Sequence, residues 1–265
     1  MSQKINYKEI KELLDEKIIE YNRSEFILSD PIQVPKMYER KEDIEIAGFL
    51  TSTISWGQRK SIIKNATHLM QLTEHKPYEF ILEGDDSDWK TMNKFVHRTF
   101  NGSDCVFFLQ SLKNIYLHHN GLEHVFTVGY QTDNSIYASI RHFREVFLSI
   151  SHGYHVNKHL SNVEKNSAAK RINMFLRWMV REDKNEVDFG LWKNIPMSSL
   201  KLPLDLHTGN ISRELGLLTR KQNDWMAVEE ITNILRSFDE NDPIKYDFAL
   251  FGMGVFNNKQ IYPSN

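Results

Sequence analysis

The chain has 265 residues, of which 40% are hydrophobic and 26% are charged, and its formal net charge is −2. This composition excludes a disordered protein and an overall polycation. The single cysteine, Cys105, excludes a disulfide framework, a cysteine-based zinc site and a four-thiolate iron–sulfur cluster. Residues 1–20 carry charges throughout, and the longest near-apolar run, residues 248–256, is too short to span a bilayer. We therefore expect a cytoplasmic protein that does not associate with membranes.

Apolar residues recur at helical spacing along almost the whole chain, and no convincing strand alternation appears. The clearest helical stripes begin at Ile10, Ile62, Ile172, Ile211 and Trp225. Near the end, Asp242 followed by Pro243 is typical of a helix start, because the carboxylate caps free amides and proline needs no acceptor. The interruptions between stripes are short, which favours one helical body or two lobes that share an interface. We predict an all-α fold.

Positive charge is concentrated in residues 158–181, which hold six lysines and arginines against one acid, Glu164. Lys170, Asn173, Arg177 and Arg181 would share one face of a helix, and the opposite face is apolar. We expect this cationic face to be exposed and to bind an anion, most naturally a phosphate group. The alternative interpretation is an ordinary solvated helix face.

Lys170 would lie at the start of that helix. The positive end of the helix dipole and the neighbouring Arg171 both disfavour an ammonium group there. Such a lysine loses its proton more easily and can act as an amine nucleophile. The alternative is a surface lysine without a special role.

Asp205 follows Pro203 and falls close to the start of the helix that carries Ile211. Backbone amides at a helix start stabilise an ionised carboxylate, which can then act as a base or as a counter-charge to a developing cation. The alternative interpretation is a helix N-cap with no catalytic role.

Three histidines, His152, His155 and His159, are spaced as in a helical metal site. No cysteine or carboxylate falls at a matching spacing except Glu164, so we favour a surface or phosphate-facing cluster. We expect neither a metal nor another cofactor.

Two segments around Asp205 resemble the aspartate motif of the helix-hairpin-helix DNA glycosylases, a superfamily that includes endonuclease III and the oxidised-guanine glycosylases. These segments are Leu204-Asp205-Leu206-His207 and Arg213-Glu214-Leu215-Gly216-Leu217. The segment Ser167-Ala168-Ala169-Lys170-Arg171-Ile172-Asn173 is similar to the family's hairpin and the helix that follows it. Residues 242–255 resemble the helix that packs behind the site. A closer likeness, along most of the chain, is to a family of uncharacterised bacterial proteins that share stretches similar to residues 173–181 and 188–192.

The glycosylase resemblance implies a two-lobed helical architecture with a cleft between the lobes. Residues 1–40 and 203–265 would form one lobe, and residues 41–202 the other, with the hairpin-like turn at 166–170. It implies that Asp205 is catalytic and that Lys170 is the Schiff-base nucleophile of a DNA-repair N-glycosylase acting on an extruded base, with an optional AP-lyase step. The implied partner is double-stranded DNA, and we expect a monomer.

The same resemblance assigns contacts to DNA and to the extruded base. The implied DNA contacts are Asn166, Ser167, Arg171, Asn173, Arg177, Arg181, Gln58 and Arg59. Trp56 and Trp178 are the candidates for stacking on the base.

The chain departs from the glycosylase pattern at two points. Asn166 and Ala168 stand where the family hairpin has glycines that let backbone amides approach a phosphate. The 35 positions between Lys170 and Asp205 also require an insertion, at residues 182–202, relative to endonuclease III. Two alternatives therefore stay open: a non-catalytic DNA-binding protein that retains the fold, and a protein–protein adaptor.

Overall fold

The computed structural model describes residues 6–151 and 153–256, without the side chain of residue 256. Within these residues the fold is all-α, as predicted, with twelve α-helices and one minimal β-hairpin. The helices are α1 (Tyr7–Tyr21), α2 (Ser24–Ile27), α3 (Lys41–Thr53), α4 (Arg59–Leu72), α5 (Pro77–Glu83), α6 (Gly102–His118), α7 (Gly121–Gln131), α8 (Ile136–Phe147), α9 (Lys170–Val180), α10 (Leu206–Glu214), α11 (Trp225–Phe238) and α12 (Tyr246–Phe256). Strands β1 (Val96–His97) and β2 (Phe100–Asn101) pair antiparallel between α5 and α6.

Several helix starts are set by side-chain caps that the sequence encodes locally. Asn101 and Asp104 form a reciprocal capping box at the start of α6. Asp224 caps α11. Asp242 caps the 3₁₀ turn Pro243–Lys245 that leads into α12, which confirms the predicted start of this helical segment.

The hydrophobic core surrounds α9, whose residues from Ile172 to Val180 are all buried. Phe175 of α9 contacts Phe49 of α3 and Phe126 of α7, with ring centroids 5.7 and 6.0 Å apart. Phe126 in turn stacks on Phe143 of α8 at 4.3 Å. Large aromatic rings thus join four helices and hold α9 in a fixed position, which matters because α9 begins at Lys170.

The two ends of the described chain pack together, because α1 and α10 both lie against α12. Gly252 of α12 allows the close approach of α1, since a Cβ atom at this position would lie 2.3 Å from the ring of Tyr21. The division into lobes of residues 1–40 plus 203–265 and 41–202 stays a prediction. No helix in the described ranges has the length and apolar character needed to cross a membrane.

One expectation about α9 is wrong. The sequence pattern predicted an exposed cationic face carrying Asn173, Arg177 and Arg181, but all three side chains are buried. Acids from neighbouring segments cover this face and neutralise Arg177 and Arg181, the latter at the C-cap of α9.

Candidate functional site

A pocket of about 560 Å³ opens where the starts of α9 and α10 meet α12 and the turn before α4. Lys170 and Asp205 both line this pocket. Its other lining residues include aromatic, cationic and acidic side chains: Phe26, Asp30, Trp56, Arg59, Arg171, Met174, Arg177, His207, Asp247 and Phe251. Its volume falls in the range of small-molecule sites, roughly 300–1,000 Å³.

Lys170 is the first residue of α9, as the sequence predicted. Its Nζ contacts Sδ of Met174 at 3.4 Å, and among the described residues it makes no salt bridge. The pKa of Lys170 is lowered because its burial in the pocket outweighs the opposing effect of Asp205, Asp30 and Asp247. The expected lowering is therefore present, but burial is its main cause, and Arg171 is not.

Asp205 is the N-cap of α10, and its Oδ1 accepts a hydrogen bond from the amide of Thr208 at 2.9 Å. Its backbone carbonyl accepts from the amide of Gly209 and the side chain of Asn223, each at 3.0 Å. Its Oδ2 has no donor within the described part of the chain. The capping and catalytic interpretations are therefore compatible, because the cap uses one oxygen and leaves the other available to the pocket. Among the acids near Lys170, Asp205 acts most strongly on the lysine pKa.

Two further acids of the pocket, Asp30 and Asp247, were missed by the sequence reasoning. Asp30 caps the turn Pro31–Gln33 through the amide of Ile32, and burial raises its pKa. Burial likewise raises the pKa of Asp247 to about 6, although its ion pair with Arg177 opposes the shift. Asp247 could have been found from the sequence, because it is an isolated acid in the otherwise apolar helix α12. Asp30 looks like an ordinary cap before proline and carried no such signal.

Arg177 and Arg181 form a buried arginine–aspartate network with the acids Asp183, Asp188, Asp242 and Asp247. Arg177 donates through Nε to Asp188 at 3.2 Å, and Arg181 donates through Nη1 to the same carboxylate at 3.0 Å. Arg181 is only 1% exposed. The expectation that Arg181 faces a phosphate at the surface is wrong, because its donors are already used by aspartates inside the protein.

Asn173 and Trp178 are also unavailable as surface contacts. Asn173 is buried and donates to the carbonyl of Ala168 at 3.1 Å, so it supports the turn before α9 from inside. Trp178 is fully buried in the core. A stacking role for Trp178 is therefore wrong, because no base could reach its ring.

Trp56, Arg59 and Arg171 lie at the pocket, whereas Gln58 is exposed beside it at the N-cap position of α4. The guanidinium of Arg171 lies 4.8 Å from the ring centroid of Trp56, and that of Arg59 lies 4.9 Å from the ring centroid of Phe251. Arg171 also donates to the carbonyl of Thr53. Two aromatic rings of the pocket wall thus each carry a guanidinium group over the ring face.

The turn at residues 166–170, which the resemblance predicts to be hairpin-like, has two residues in the left-handed region: Asn166 with φ 60° and Ala169 with φ 49°. The resemblance to the glycosylases placed the replaced glycines at positions 166 and 168. The second residue with a left-handed backbone is Ala169, one position later than expected. Asn166 is anchored through its side chain to Asp224 at 2.9 Å. Ser167 Oγ accepts from the amide of Ala169 at 3.2 Å. The turn ends at the start of α9, where the first amides have no acceptor within the helix.

Asp104 joins two of the predicted histidines, His155 and His159, in a cluster outside the pocket. No local pattern pointed to Asp104, which precedes His155 by 51 positions. Glu164, the carboxylate considered from spacing, is not part of the cluster. His152 lies outside the described residues.

A family model described as a protein of unknown function (DUF2400) matches residues 30–256. The comparison with curated proteins found no match, and the comparison with solved structures found none either. The expected membership of an uncharacterised family is confirmed by this match, which covers most of the chain. The chain belongs to the DUF2400 family.

Proposed function

We propose that the protein is a DNA N-glycosylase that acts on an extruded, modified base through Lys170 and Asp205. The observation that carries this proposal is that the amine of Lys170 and the carboxylate of Asp205 line one pocket, and the amine makes no salt bridge with the described residues. A partly buried lysine without an ion-pair partner is easier to deprotonate, as a nucleophile requires. The resemblance to helix-hairpin-helix glycosylases at these two positions supports the same assignment.

The pocket walls suit a flat, extruded base. Phe26, Trp56 and Phe251 offer aromatic surface, and the Asp30 and Asp247 carboxyls offer hydrogen-bonding groups beside it. Base extrusion costs a few kcal/mol of unstacking, which such stacking contacts offset. Burial raises the pKa of both carboxyls, and each offers acceptor oxygens to the polar edge of a base.

The proposed chemistry begins with attack of the neutral Lys170 amine on the sugar C1′ atom. A bond forms between Nζ and C1′, the glycosidic bond breaks, and its electron pair leaves with the base. Asp205 stabilises the positive charge that develops on the sugar and accepts the proton released by the amine. Ring opening then gives a Schiff base, from which a lyase step can follow.

DNA would approach from the hairpin turn. Asn166 and Gln58 are exposed in the segments that precede α9 and α4, and the free amides at the start of α9 suit a phosphate oxygen. Arg59 and Arg171 would act at the pocket wall. Arg181, Asn173 and Trp178 are left out of this DNA interface because they are buried.

The test is a panel of lesion-bearing duplex oligonucleotides, with borohydride used to trap a covalent protein–DNA adduct. Wild type should excise one lesion class and form the adduct, and Lys170→Ala should form none. Lys165→Ala is the matched control, because Lys165 is exposed in the same segment and should leave trapping unchanged. Asp205→Asn should lower the excision rate by about 10²–10⁴-fold.

Two results would overturn the proposal. Full excision by Asp205→Asn would remove the carboxylate from the mechanism. Salt-dependent DNA binding with no excision of any lesion, unchanged in Lys170→Ala, would instead indicate a non-catalytic DNA-binding protein.

A further inference from the structure

We propose that Asp104, His155 and His159 form a binding site for a divalent transition-metal ion such as Zn²⁺. Asp104 lies in the first turn of α6, and the two histidines lie on the 3₁₀ turn Tyr154–His159. His155 Nδ1 is 2.7 Å from Asp104 Oδ1, and His159 Nε2 is 3.0 Å from Asp104 Oδ2. One ligand atom from each side chain falls within 4.8 Å of the others.

These separations fit a metal centre. With metal–ligand bonds of about 2.0–2.1 Å, two ligand atoms of a tetrahedral site lie roughly 3.3 Å apart. The two contacts to Asp104, at 2.7 and 3.0 Å, are hydrogen-bond distances somewhat shorter than this value, so the ligand atoms would move apart slightly around an ion. A small rotation of His155, whose side chain is 49% exposed, is enough to place the third ligand atom.

Two of the three ligands are held rigidly by their surroundings. Asp104 is buried, and the amide of Asn101 donates to its Oδ2 at 2.9 Å. His159 is buried between the rings of Phe100 and Trp56, with centroids 5.0 and 6.2 Å away. Such outer contacts orient ligands in metal sites. The exposed His155 leaves one side open, where the ion can enter and water can complete its coordination.

The donor set selects the class of ion. Two imidazoles and one carboxylate suit Zn²⁺ and its first-row neighbours, whereas Ca²⁺ and Mg²⁺ require oxygen ligands. Metal binding also requires neutral imidazoles.

Lys158 competes with the metal ion for His155. Its Nζ hydrogen-bonds to Nε2 of His155, which must then be the acceptor nitrogen of that ring. When His155 Nδ1 binds a metal, Nε2 carries the proton and repels the ammonium group. Lys158 is exposed and can turn into solvent, so its removal should tighten metal binding.

The proposed metal site contacts Trp56, a residue of the pocket wall. The ring of His159 stacks on Trp56 with an interplanar angle of 27°, and Trp56 lines the pocket. A bound paramagnetic ion should therefore quench the fluorescence of Trp56. This signal separates the proposed site from surface histidines elsewhere on the chain.

The experiment uses the full chain without a histidine tag, treated with a chelator and then titrated with Zn²⁺ by calorimetry and with Co²⁺ by visible absorption. We expect one site per chain. His155→Ala, a variant at a half-exposed position that should fold normally, should weaken binding by at least about tenfold. Lys158→Ala should bind more tightly, and the exposed His124→Ala should match wild type.

Quenching by Co²⁺ should be largely lost in Trp56→Phe. Circular dichroism of each variant confirms that the fold is intact. Absence of Zn²⁺ and Co²⁺ binding by wild type would overturn the proposal. Binding that His155→Ala leaves unchanged would overturn it equally, because the ion would then sit elsewhere.

Discussion

At the scale of single residues, Arg181 acts as part of the core. Its guanidinium reaches three carboxylates, those of Asp183, Asp188 and Asp242, at 2.7, 3.0 and 2.9 Å. Burial alone would lower the pKa of this arginine, but the surrounding aspartates raise it above the usual arginine value. Removing one partner of a buried ionic network leaves the others uncompensated, which costs more than the pair itself contributes.

We predict that Arg181→Met lowers the free energy of unfolding by about 3–5 kcal/mol, because three acids lose their shared cation. Urea denaturation measures the change. The exposed Lys184→Met is the matched control and should stay within about 0.5 kcal/mol of wild type. A loss below 1 kcal/mol for Arg181→Met would mean that the network contributes little to stability.

Glu45 is a second buried ionisable group, and its burial affects how stability depends on pH. Its carboxyl accepts hydrogen bonds from Trp192 Nε1 at 2.7 Å and from the Tyr116 hydroxyl at 2.8 Å. Burial raises its pKa to about 7 in spite of these two donors. The folded state therefore holds a proton between about pH 4.5 and 7 that the unfolded state has released.

We predict that the free energy of unfolding falls as pH rises from about 5 to about 7.5, with a contribution from Glu45 of up to about 3 kcal/mol. Urea denaturation across this range measures the slope. Glu45→Gln should flatten it, whereas Glu39→Gln, an exposed glutamate, should leave it unchanged. An identical slope in Glu45→Gln would show that another group is responsible.

At the scale of elements, the start of α10 combines a structural and a proposed chemical role in Asp205. The cap needs only an acceptor oxygen, which asparagine also supplies, whereas the proposed chemistry needs a negative charge. Substitutions at this position can therefore separate the stability of the helix from its proposed activity.

We predict that Asp205→Ala lowers the free energy of unfolding by about 1 kcal/mol, while Asp205→Asn changes it by less than about 0.5 kcal/mol. Thermal or urea denaturation of the two variants gives this comparison. An equal loss in both variants would mean that the charge of Asp205, and not its capping bond, stabilises α10.

At the scale of the whole molecule, the packing of α1 on α12 brings the first and last described helices together beside the pocket. The close approach depends on Gly252, where an added methyl group would meet the ring of Tyr21. Gly153 offers the opposite case, because nothing lies within 4 Å of a Cβ atom built there.

We predict that Gly252→Ala lowers the free energy of unfolding by about 1–3 kcal/mol through overpacking against α1. Gly153→Ala should be nearly neutral, which makes it the matched control. Differential scanning calorimetry of both variants measures the difference. Equal stability of the two would show that α1 can move away from α12 without cost.

Much of the local structure could be predicted from the sequence because it depends on neighbouring residues. Helical spacing of apolar residues predicted α1, α4, α9 and α11, and the caps at Asp205 and Asp242 were readable from the residues around them. Helix α9 showed the limit of such reasoning. Its charged and apolar positions predicted an exposed face, but periodicity cannot show that acids distant in sequence, at 188, 242 and 247, cover that face.

The sequence by itself determined the all-α class, the starts of α9 and α10, and the presence of Lys170 and Asp205 at those starts, because helix propensity and capping act over a few residues. Only the tertiary structure decided which charges are buried and which groups meet. It placed Asp30 and Asp247 in the pocket with Lys170, and Asp104 beside His155 and His159. These groups come from segments far apart in the chain, and their contacts depend on how the helices pack.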